Sequence, residues 1–406
     1  MKILLVHKFF HVTGGAEVFF FETGRILKEN GHDVAYFSTT HDQNLPSEYS
    51  SYFVCPPQYR SKNVWKRLIG IVDIIYSVKA KRQFQKLLSD FNPDIVHIFA
   101  MFTHISPSIL EACSSANIPV ILSCNDYKHI CPNYKLYHHG RLCTECKTGE
   151  FYHAVLNRCC QNSLAFSVAS SLEAYVHEVT NIVRKHVHTF TFAGEFMVRV
   201  TEEFWGKDAF RWRKLLNPFN SMTCSSSVEY ADYFVFFGRF VEEKGCDILL
   251  SAMAKVPEAK LIIIGDGPLD SCLRKMSNDL GLLNVEFVGP KWGEALSTLL
   301  MRARFVVVPS VWHENFPYVI LQAFAAAKPV IGSDRGGIPE LIQDGEFGYV
   351  YPANDPNALA DRIHMLWNNP SLAVKMGVKA KYFVDTQFTD HNFYQNLMSI
   401  YKEVLS

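Results

Sequence analysis

Apolar and polar positions along the 406-residue chain fall into two alternating series. The opening, Lys2-Ile3-Leu4-Leu5-Val6, is a continuous apolar run that predicts a buried strand. The glycine turn Gly14-Gly15 follows, then a helical pattern from about Ala16 to Asn30 that Gly31 stops. Further apolar runs at Asp33 to Phe37, Asp94 to Phe99 and Val120 to Ser123 continue the series. The rhythm restarts after Asn217-Pro218, with runs at Tyr233 to Phe237, Lys260 to Ile264, Val285 to Val288, Arg304 to Val308, Pro329 to Gly332 and Tyr349-Val350. Continuous apolar strands separated by helices predict parallel sheets covered on both faces. The expected class is therefore α/β, with two Rossmann-like doubly wound domains at 1–215 and 216–387, joined near 216–230. The stretch at about 128–162 is expected to be an insertion in the first domain. Residues 388–406 are long enough for a helix that crosses back to that domain. In open parallel sheets ligands bind beyond the carboxyl ends of the strands, so two facing sheets would place a substrate in the cleft between them.

Composition narrows the function by exclusion. Hydrophobic residues make up 48% of the chain and charged residues 20%, and 40 basic side chains balance 40 acidic ones. That balance excludes a protein whose main partner is nucleic acid, which normally carries a basic excess. No apolar run reaches the ~18 residues of a membrane span, and the N-terminus lacks the apolar core and cleavage site of a secretion signal. A cytosolic location is expected, with the eleven cysteines reduced or metal-bound.

The charge is unevenly spread. Residues 1–215 hold 24 Lys+Arg against 19 Asp+Glu, whereas residues 216–406 hold 16 against 21. Much of the basic excess lies between Tyr59 and Leu87, where Arg60, Lys62, Lys66, Arg67, Lys79, Lys81, Arg82 and Lys86 accompany one acid, Asp73. Trp65, Leu68, Ile69, Val72, Ile75 and Tyr76 recur there at helical spacing. Such a helix either lies in an anionic membrane surface or packs on its own sheet.

The sharpest candidate chemistry is in the second half. Gly238-Arg239-Phe240-Val241-Glu242-Glu243-Lys244-Gly245 follows a strand, and its two cations suit a diphosphate, Arg239 as a planar fork and Lys244 as a point charge. Taken alone, two solvated surface cations would explain the pattern equally well. Pro309-Ser310-Val311-Trp312-His313-Glu314-Asn315-Phe316-Pro317 follows another strand and opens a helix running to about Ala327. Pro317 suits a first helical turn, whose free amides favour an anion. Glu314 stands before that helix and Gln322 inside it.

These stretches resemble the donor domain of a family 4 glycosyltransferase of the GT-B fold. Ile264-Gly265-Asp266-Gly267-Pro268, Lys328-Pro329-Val330 and Asp334-Arg335-Gly336-Gly337-Ile338-Pro339-Glu340 match in order and spacing as well. The resemblance implies retaining transfer of a sugar from a nucleotide sugar, a UDP-, GDP- or ADP-sugar, without a required catalytic metal. It implies that Arg239 and Lys244 stabilise the departing diphosphate. Glu314 would match the first glutamate of the family's E-x7-E motif and contact sugar hydroxyls, with the amides of Asn315 and Phe316 on phosphate or sugar. The second glutamate of that motif, usually assigned to the ribose, is Gln322 here, an amide that both accepts and donates.

The first half resembles the same family through Gly14-Gly15, Pro93-Asp94-Ile95-Val96-His97 and Ile105 to Leu110. The resemblance places Gly14 and Gly15 near the donor phosphate or the acceptor. Many relatives carry a sugar-orienting histidine where this chain has Asn125, and Asp126 and His129 are the nearby candidate substitutes. An internal-return mechanism, in which the leaving phosphate takes the acceptor proton, needs no such base. Cys131, the pair Cys143-Thr144-Glu145-Cys146, and Cys159 would form a four-thiolate structural zinc site or be buried thiols. A similar cysteine-bearing insertion occurs in a branch of the family that makes surface polysaccharides.

The expected activity is then sugar transfer to a glycan or polyprenyl-linked acceptor in polysaccharide or lipopolysaccharide assembly, on the inner face of the plasma membrane. A dinucleotide-dependent oxidoreductase is disfavoured, because neither Gly14-Gly15 nor Gly265-Asp266-Gly267 extends to G-x-G-x-x-G with a later acid. A degenerate, non-catalytic scaffold is the remaining alternative, resting on Gln322 and Asn125.

Overall fold

The computed structural model describes residues 1–221 and 226–406. Residues 222–225, within the junction expected at 216–230, lie outside the described residues. The chain falls into two compact units: Met1–Leu136, Thr144–Pro218 and His391–Ser406 form the first, and Tyr137–Cys143 with Phe219–Asp390 form the second.

In chain order the strands are β1 (Lys2–His7), β2 (Asp33–Phe37), β3 (Ile95–Ala100), β4 (Val120–Ser123), β5 (Tyr137–His138), β6 (Arg141–Leu142), β7 (Thr189–Phe192) and β8 (Trp212–Lys214). They continue as β9 (Phe234–Phe237), β10 (Leu261–Ile264), β11 (Val285–Gly289), β12 (Val306–Val308), β13 (Val330–Ser333) and β14 (Gly348–Tyr351). The first unit holds a six-stranded sheet in the order β2-β1-β3-β4-β7-β8, and the second one in the order β11-β10-β9-β12-β13-β14. Every pairing in both sheets is parallel, with Ile3 beside Val34 and Ile95 in the first, and Phe234 beside Leu261 in the second. Their central strands are buried on both faces, which is why they read as unbroken apolar runs. In each sheet the chain reverses direction of growth once, between β1 and β3 and between β9 and β12. Those are the points where loops beyond the strand ends splay apart and leave room for a ligand.

The helix Asp390–Leu405 packs on the first sheet. It buries Phe393, Leu397, Met398, Ile400 and Tyr401 among Ile3, Leu5, Phe19 and Phe99. Burying five such side chains stabilises this contact by an upper bound of roughly 10 kcal/mol. Tyr401 OH also meets His97 Nδ1 at 2.8 Å, and the other ring nitrogen of His97 meets Ser123 Oγ at 2.8 Å. Burial pushes His97 down to about 3, so the ring is neutral and serves as a fixed donor–acceptor link.

Two expectations need correction. The cysteine-bearing insertion does not belong wholly to the first unit, because its hairpin β5–β6 falls in the second. There the Tyr137 hydroxyl lies 3.4 Å from Glu242 Oε1, and Gly140 sits against the same carboxylate. The basic stretch from Tyr59 to Leu87 is also not one helix but two, Val64–Ile75 and Val78–Phe91. Ser77 breaks it: its hydroxyl accepts from the Ala80 amide at 3.2 Å while its own amide donates to Ser106 Oγ at 2.9 Å. The second helix buries Ala80, Phe84, Leu87 and Leu88 on the sheet, at the spacing of one helical face. The first buries only Gly70 and Ile74. Among the described residues, no helix is long and apolar enough to cross a membrane.

Candidate active site

The donor-side residues gather at the reversal point of the second sheet. The loop after β9 carries Arg239 and Lys244, and the loop after the neighbouring β12 carries Glu314, Asn315 and Phe316. The two loops are locked together by their backbones. The Val311 amide donates to Glu243 O at 3.0 Å, and Gly245, at φ +64, lies so close that a Cβ there would stand 2.1 Å from Pro309 O. Only glycine combines that left-handed conformation with that approach. The loop after β13 closes the other side: the Gly337 amide donates to Glu314 O at 2.7 Å, and a Cβ on Gly336, φ +59, would meet the same oxygen at 2.1 Å.

Within this frame Lys244 Nζ lies 2.6 Å from Glu314 Oε1. The buried Ser310 hydroxyl donates to the same carboxylate oxygen at 2.7 Å, and Ser333 Oγ donates to Ser310 O at 2.6 Å. Burial alone would raise the Glu314 carboxyl, but the Lys244 charge and hydrogen bond, with Ser310, hold it below its usual range. Glu314 is therefore an ionised acceptor fixed in place. Lys244 keeps 28% of its side chain exposed and Arg239 is exposed, so both cations face solvent at the strand ends, where a diphosphate would need them.

Phe316 stacks its edge on Tyr318 and approaches Phe388 at 6.0 Å, which fixes the backbone of the loop just before the helix Tyr318–Ala325. Gln322 is half-buried in the second turn of that helix. His313 is pushed down to about 4 by burial and by Arg335, so it stays neutral. Lys328, part of a matching stretch, precedes β13 and thus lies at the opposite edge of the sheet. It donates to Ser227 O at 2.8 Å and is structural.

In the first unit, Gly14 and Gly15 are exposed at the start of the helix Gly15–Glu29. Gly14 is extended, and an added Cβ would meet only ordinary contact with Glu17, so its value lies in an open backbone and not in strain. Asn125 follows β4 and donates to Phe99 O at 3.2 Å. The Asp126 carboxylate accepts from the Lys128 amide at 2.9 Å and caps the turn Tyr127–His129. His129 Nε2 meets Thr201 Oγ1 at 2.9 Å, its ring packs on Trp205, and burial pushes it down to about 3. Asp126 and His129 thus hold the turn together.

Sequence reasoning missed a polar cluster beside Gly14. Glu17 is buried in the first helical turn, where Thr13 Oγ1 donates to it at 2.9 Å and His7 Nε2 lies at 3.5 Å. His7 Nδ1 lies 2.9 Å from Phe9 O and 3.0 Å from the Phe9 amide, which fixes the ring with Nε2 toward Glu17. His7 hides inside the first strand, and only the reversal of the sheet brings it to a ligand-facing edge. Ser310 was missed for a similar reason: its spacing of four from Glu314 signals nothing until the loop folds back.

The cysteines divide between the units. Cys143 lies at the end of the hairpin in the second unit, while Cys131, Cys146 and Cys159 lie in the first. Cys146 and Cys159 share one small apolar cluster with Phe151 and Ala154. Asn133 accepts from Cys131 Sγ at 3.3 Å and donates to Cys159 O at 3.4 Å.

Residues 225–383 match the family model of glycosyl transferases group 1, and residues 13–143 match that of glycosyltransferase family 4. Each half of the chain thus matches a glycosyltransferase family model. An uncharacterized glycosyltransferase of Methanocaldococcus jannaschii is 31% identical over 170 residues, 42% of this chain and 48% of that protein. The O-antigen chain mannosyltransferase C of Escherichia coli is 32% identical over 176 residues, 43% of this chain and 47% of that protein. These matches thus span about half the length of each curated relative. Among solved structures, the sucrose-phosphate synthase of Thermosynechococcus elongatus superposes with a TM-score of 0.71 at 18% identity, covering 99% of this chain and 98% of that one. The Anabaena protein HepE, solved in complex with UDP, gives a TM-score of 0.66 at 16% identity, covering 99% and 100%. The fold of this chain is GT-B.

Proposed function

We propose that this glycosyltransferase transfers a sugar, with retention of anomeric configuration, from a nucleoside-diphosphate sugar to a glycan or polyprenyl-linked acceptor in surface polysaccharide or lipopolysaccharide assembly. The observation that carries the reading is the Lys244–Glu314 pair at 2.6 Å, held at the sheet's reversal point with Arg239 on the same loop as Lys244. Arg239 and Lys244 neutralise the diphosphate as the glycosidic bond breaks, supplying from side chains the charge that a metal would otherwise bring. Glu314, ionised and fixed, accepts hydrogen bonds from sugar hydroxyls, and the amides of Asn315 and Phe316 hold phosphate or sugar. Gln322 reaches the ribose with an amide in place of a carboxylate. Asn125 and the open backbone at Gly14 and Gly15 serve the reacting sugar and phosphate in the first unit. The departing phosphate takes the acceptor proton, so no titrating base is required at Asn125. The reaction belongs on the cytoplasmic face of the membrane, where nucleotide sugars and a lipid-linked acceptor meet.

A structural zinc ion held by Cys131, Cys143, Cys146 and Cys159 is part of the same proposal. Its support is the shared apolar cluster of Cys146 and Cys159 and the Asn133 link between Cys131 and Cys159. His138 brings a ring nitrogen within 4.8 Å of Cys143 Sγ, a second ligand type of the kind zinc accepts. Metal analysis of freshly purified protein tests it: one zinc per chain supports the site, and none refutes it.

A thermal-shift screen against UDP-, GDP- and ADP-sugars tests the donor site. Stabilisation by one nucleotide class is expected. No shift with any of them would favour the non-catalytic scaffold.

A further inference from the structure

The helix Leu164–Thr180 is built inside out. Its buried residues are Ser167, Ala169, Ser171 and Glu173. Each polar one is engaged: Ser167 Oγ accepts from the Cys160 amide at 3.0 Å, Ser171 Oγ donates to Phe151 O at 2.8 Å, and Glu173 forms an ion pair with the buried Lys128 at 2.7 Å. Its large apolar residues Leu164, Val168, Leu172 and Val179 point outward, the last 84% exposed. The helix Val64–Ile75 does the same with Val64, Trp65, Leu68, Ile69 and Val72, where Trp65 is 76% exposed. The two helices are joined. His177 Nε2 meets Ile75 O at 2.9 Å, the Tyr59 and Phe166 rings lie 5.9 Å apart, and Arg60 sits over both rings. Nine large apolar side chains therefore share one exposed two-helix face within the first unit, far more than scattered surface residues.

The charge around this face is mostly basic, with Asp73 the one acid of the Val64–Ile75 helix. Arg60, Lys62, Lys66 and Arg67 flank it at the start of the Val64–Ile75 helix. The two acids of the Leu164–Thr180 helix are engaged inward or sideways, Glu173 with Lys128 and Glu178 with Arg184. We infer that the paired helices Val64–Ile75 and Leu164–Thr180 form the surface by which this glycosyltransferase lies on an anionic bilayer, with both apolar stripes in the acyl boundary and the four cations at the headgroups. Apolar insertion and headgroup attraction act together on such a face, and Trp65 suits the boundary between them. The inference deepens the proposed function by naming the surface that meets a lipid-linked acceptor, and it extends the basic stretch to a second helix whose sequence carries no basic signal.

Co-sedimentation of the full chain with vesicles tests it. Binding is expected to phosphatidylglycerol-containing vesicles and to be much weaker to phosphatidylcholine alone. Neutralising Lys62, Lys66 and Arg67 to Gln should weaken binding about a hundredfold, near fivefold per cation. The variant Val168→Asp with Leu172→Asp, on the helix without cations, should abolish binding while the thermal shift by nucleotide sugar is retained. Failure of the whole chain to bind anionic vesicles overturns the inference, as does binding that survives the Val168/Leu172 change. A dimer in solution that the same substitutions dissociate would assign the face to a second copy and equally overturn it. Donor binding is read separately, so loss of the nucleotide-sugar shift in the unaltered chain would count against the proposed function and not against this face.

Discussion

The ion pair between Lys244 and Glu314 makes a prediction that separates folding from catalysis. Removing one partner of a buried pair leaves the other charge uncompensated and costs about 3–5 kcal/mol. Glu314 is almost wholly buried, but Lys244 keeps 28% exposure, which screens part of the interaction. Lys244→Ala should therefore destabilise the second unit by about 2–3 kcal/mol, a fall in Tm of about 5–10 °C for a domain of this size. Glu314→Gln should cost less, because the amide oxygen still accepts from Ser310 and the half-exposed ammonium turns to water. The double variant Lys244→Ala, Glu314→Gln buries no unpaired charge and should recover most of the lost Tm, a coupling of about 2 kcal/mol in a thermodynamic cycle. Activity should not recover with it. Release of nucleoside diphosphate from the donor should stay at least about a hundredfold below the unaltered protein in all three variants, since no variant keeps both groups. Calorimetry and a coupled diphosphate assay read the two quantities. An unchanged Tm in Lys244→Ala, or additive effects in the double variant, would refute the pairing as the element that organises the site.

Further outcomes follow from the same geometry. Arg239→Ala should leave Tm within about 1 °C, because the side chain is exposed, while turnover falls about a hundred- to a thousandfold; equal loss of both would show a structural role instead. Gln322→Glu should keep or raise donor affinity in a titration, and a large loss would show a ribose site rebuilt around the amide. Gly245→Ala should destabilise by at least about 2 kcal/mol, since it adds a left-handed non-glycine residue and a Cβ 2.1 Å from Pro309 O; wild-type stability would contradict the locked loops. Acid should weaken the fold well above the carboxylate range. Burial pushes His7, His97 and His129 to about 3, and His104 and His313 to about 4, against 6.5 when exposed. Between those values the unfolded chain binds more protons, so stability present at pH 8 is lost as pH falls below 6.5. Each histidine held near 3 accounts for about 2 kcal/mol of that loss at pH 5. A flat Tm from pH 8 to pH 5 would contradict the neutral buried rings.

Much of this molecule was legible from its pattern, for identifiable reasons. Central parallel strands are buried on both faces, so Lys2 to Val6 and Lys260 to Ile264 announce themselves as unbroken apolar runs. The edge strand Trp212–Lys214 does not, because two of its three residues are cations facing solvent. Thr189–Phe192 alternates polar and apolar yet is buried on both sides, its Thr191 hydroxyl meeting Ser123 Oγ at 2.6 Å. The candidate donor loops could be picked out because their residues are contiguous in the chain. Ser310, Glu17 and His7 were not, because their roles arise only where strand ends converge. The Leu164–Thr180 helix was not read at all: Leu164, Val168 and Leu172 have the spacing of a core face, but the face that is buried is the one carrying Ser167, Ser171 and Glu173, held by Cys160, Phe151 and Lys128. Likewise nothing in the sequence assigns Tyr137–Cys143 to the unit of Glu242.

The central claim is that Arg239, Lys244 and Glu314 form a donor site that transfers a sugar with retention. The measurement that tests it most directly is nuclear magnetic resonance of the sugar released or transferred from a nucleotide sugar, read at the first product formed. Nucleoside diphosphate release that depends on Arg239, and a product with the anomeric configuration of the donor, are expected. A product of inverted configuration, or no turnover with any UDP-, GDP- or ADP-sugar, would contradict it.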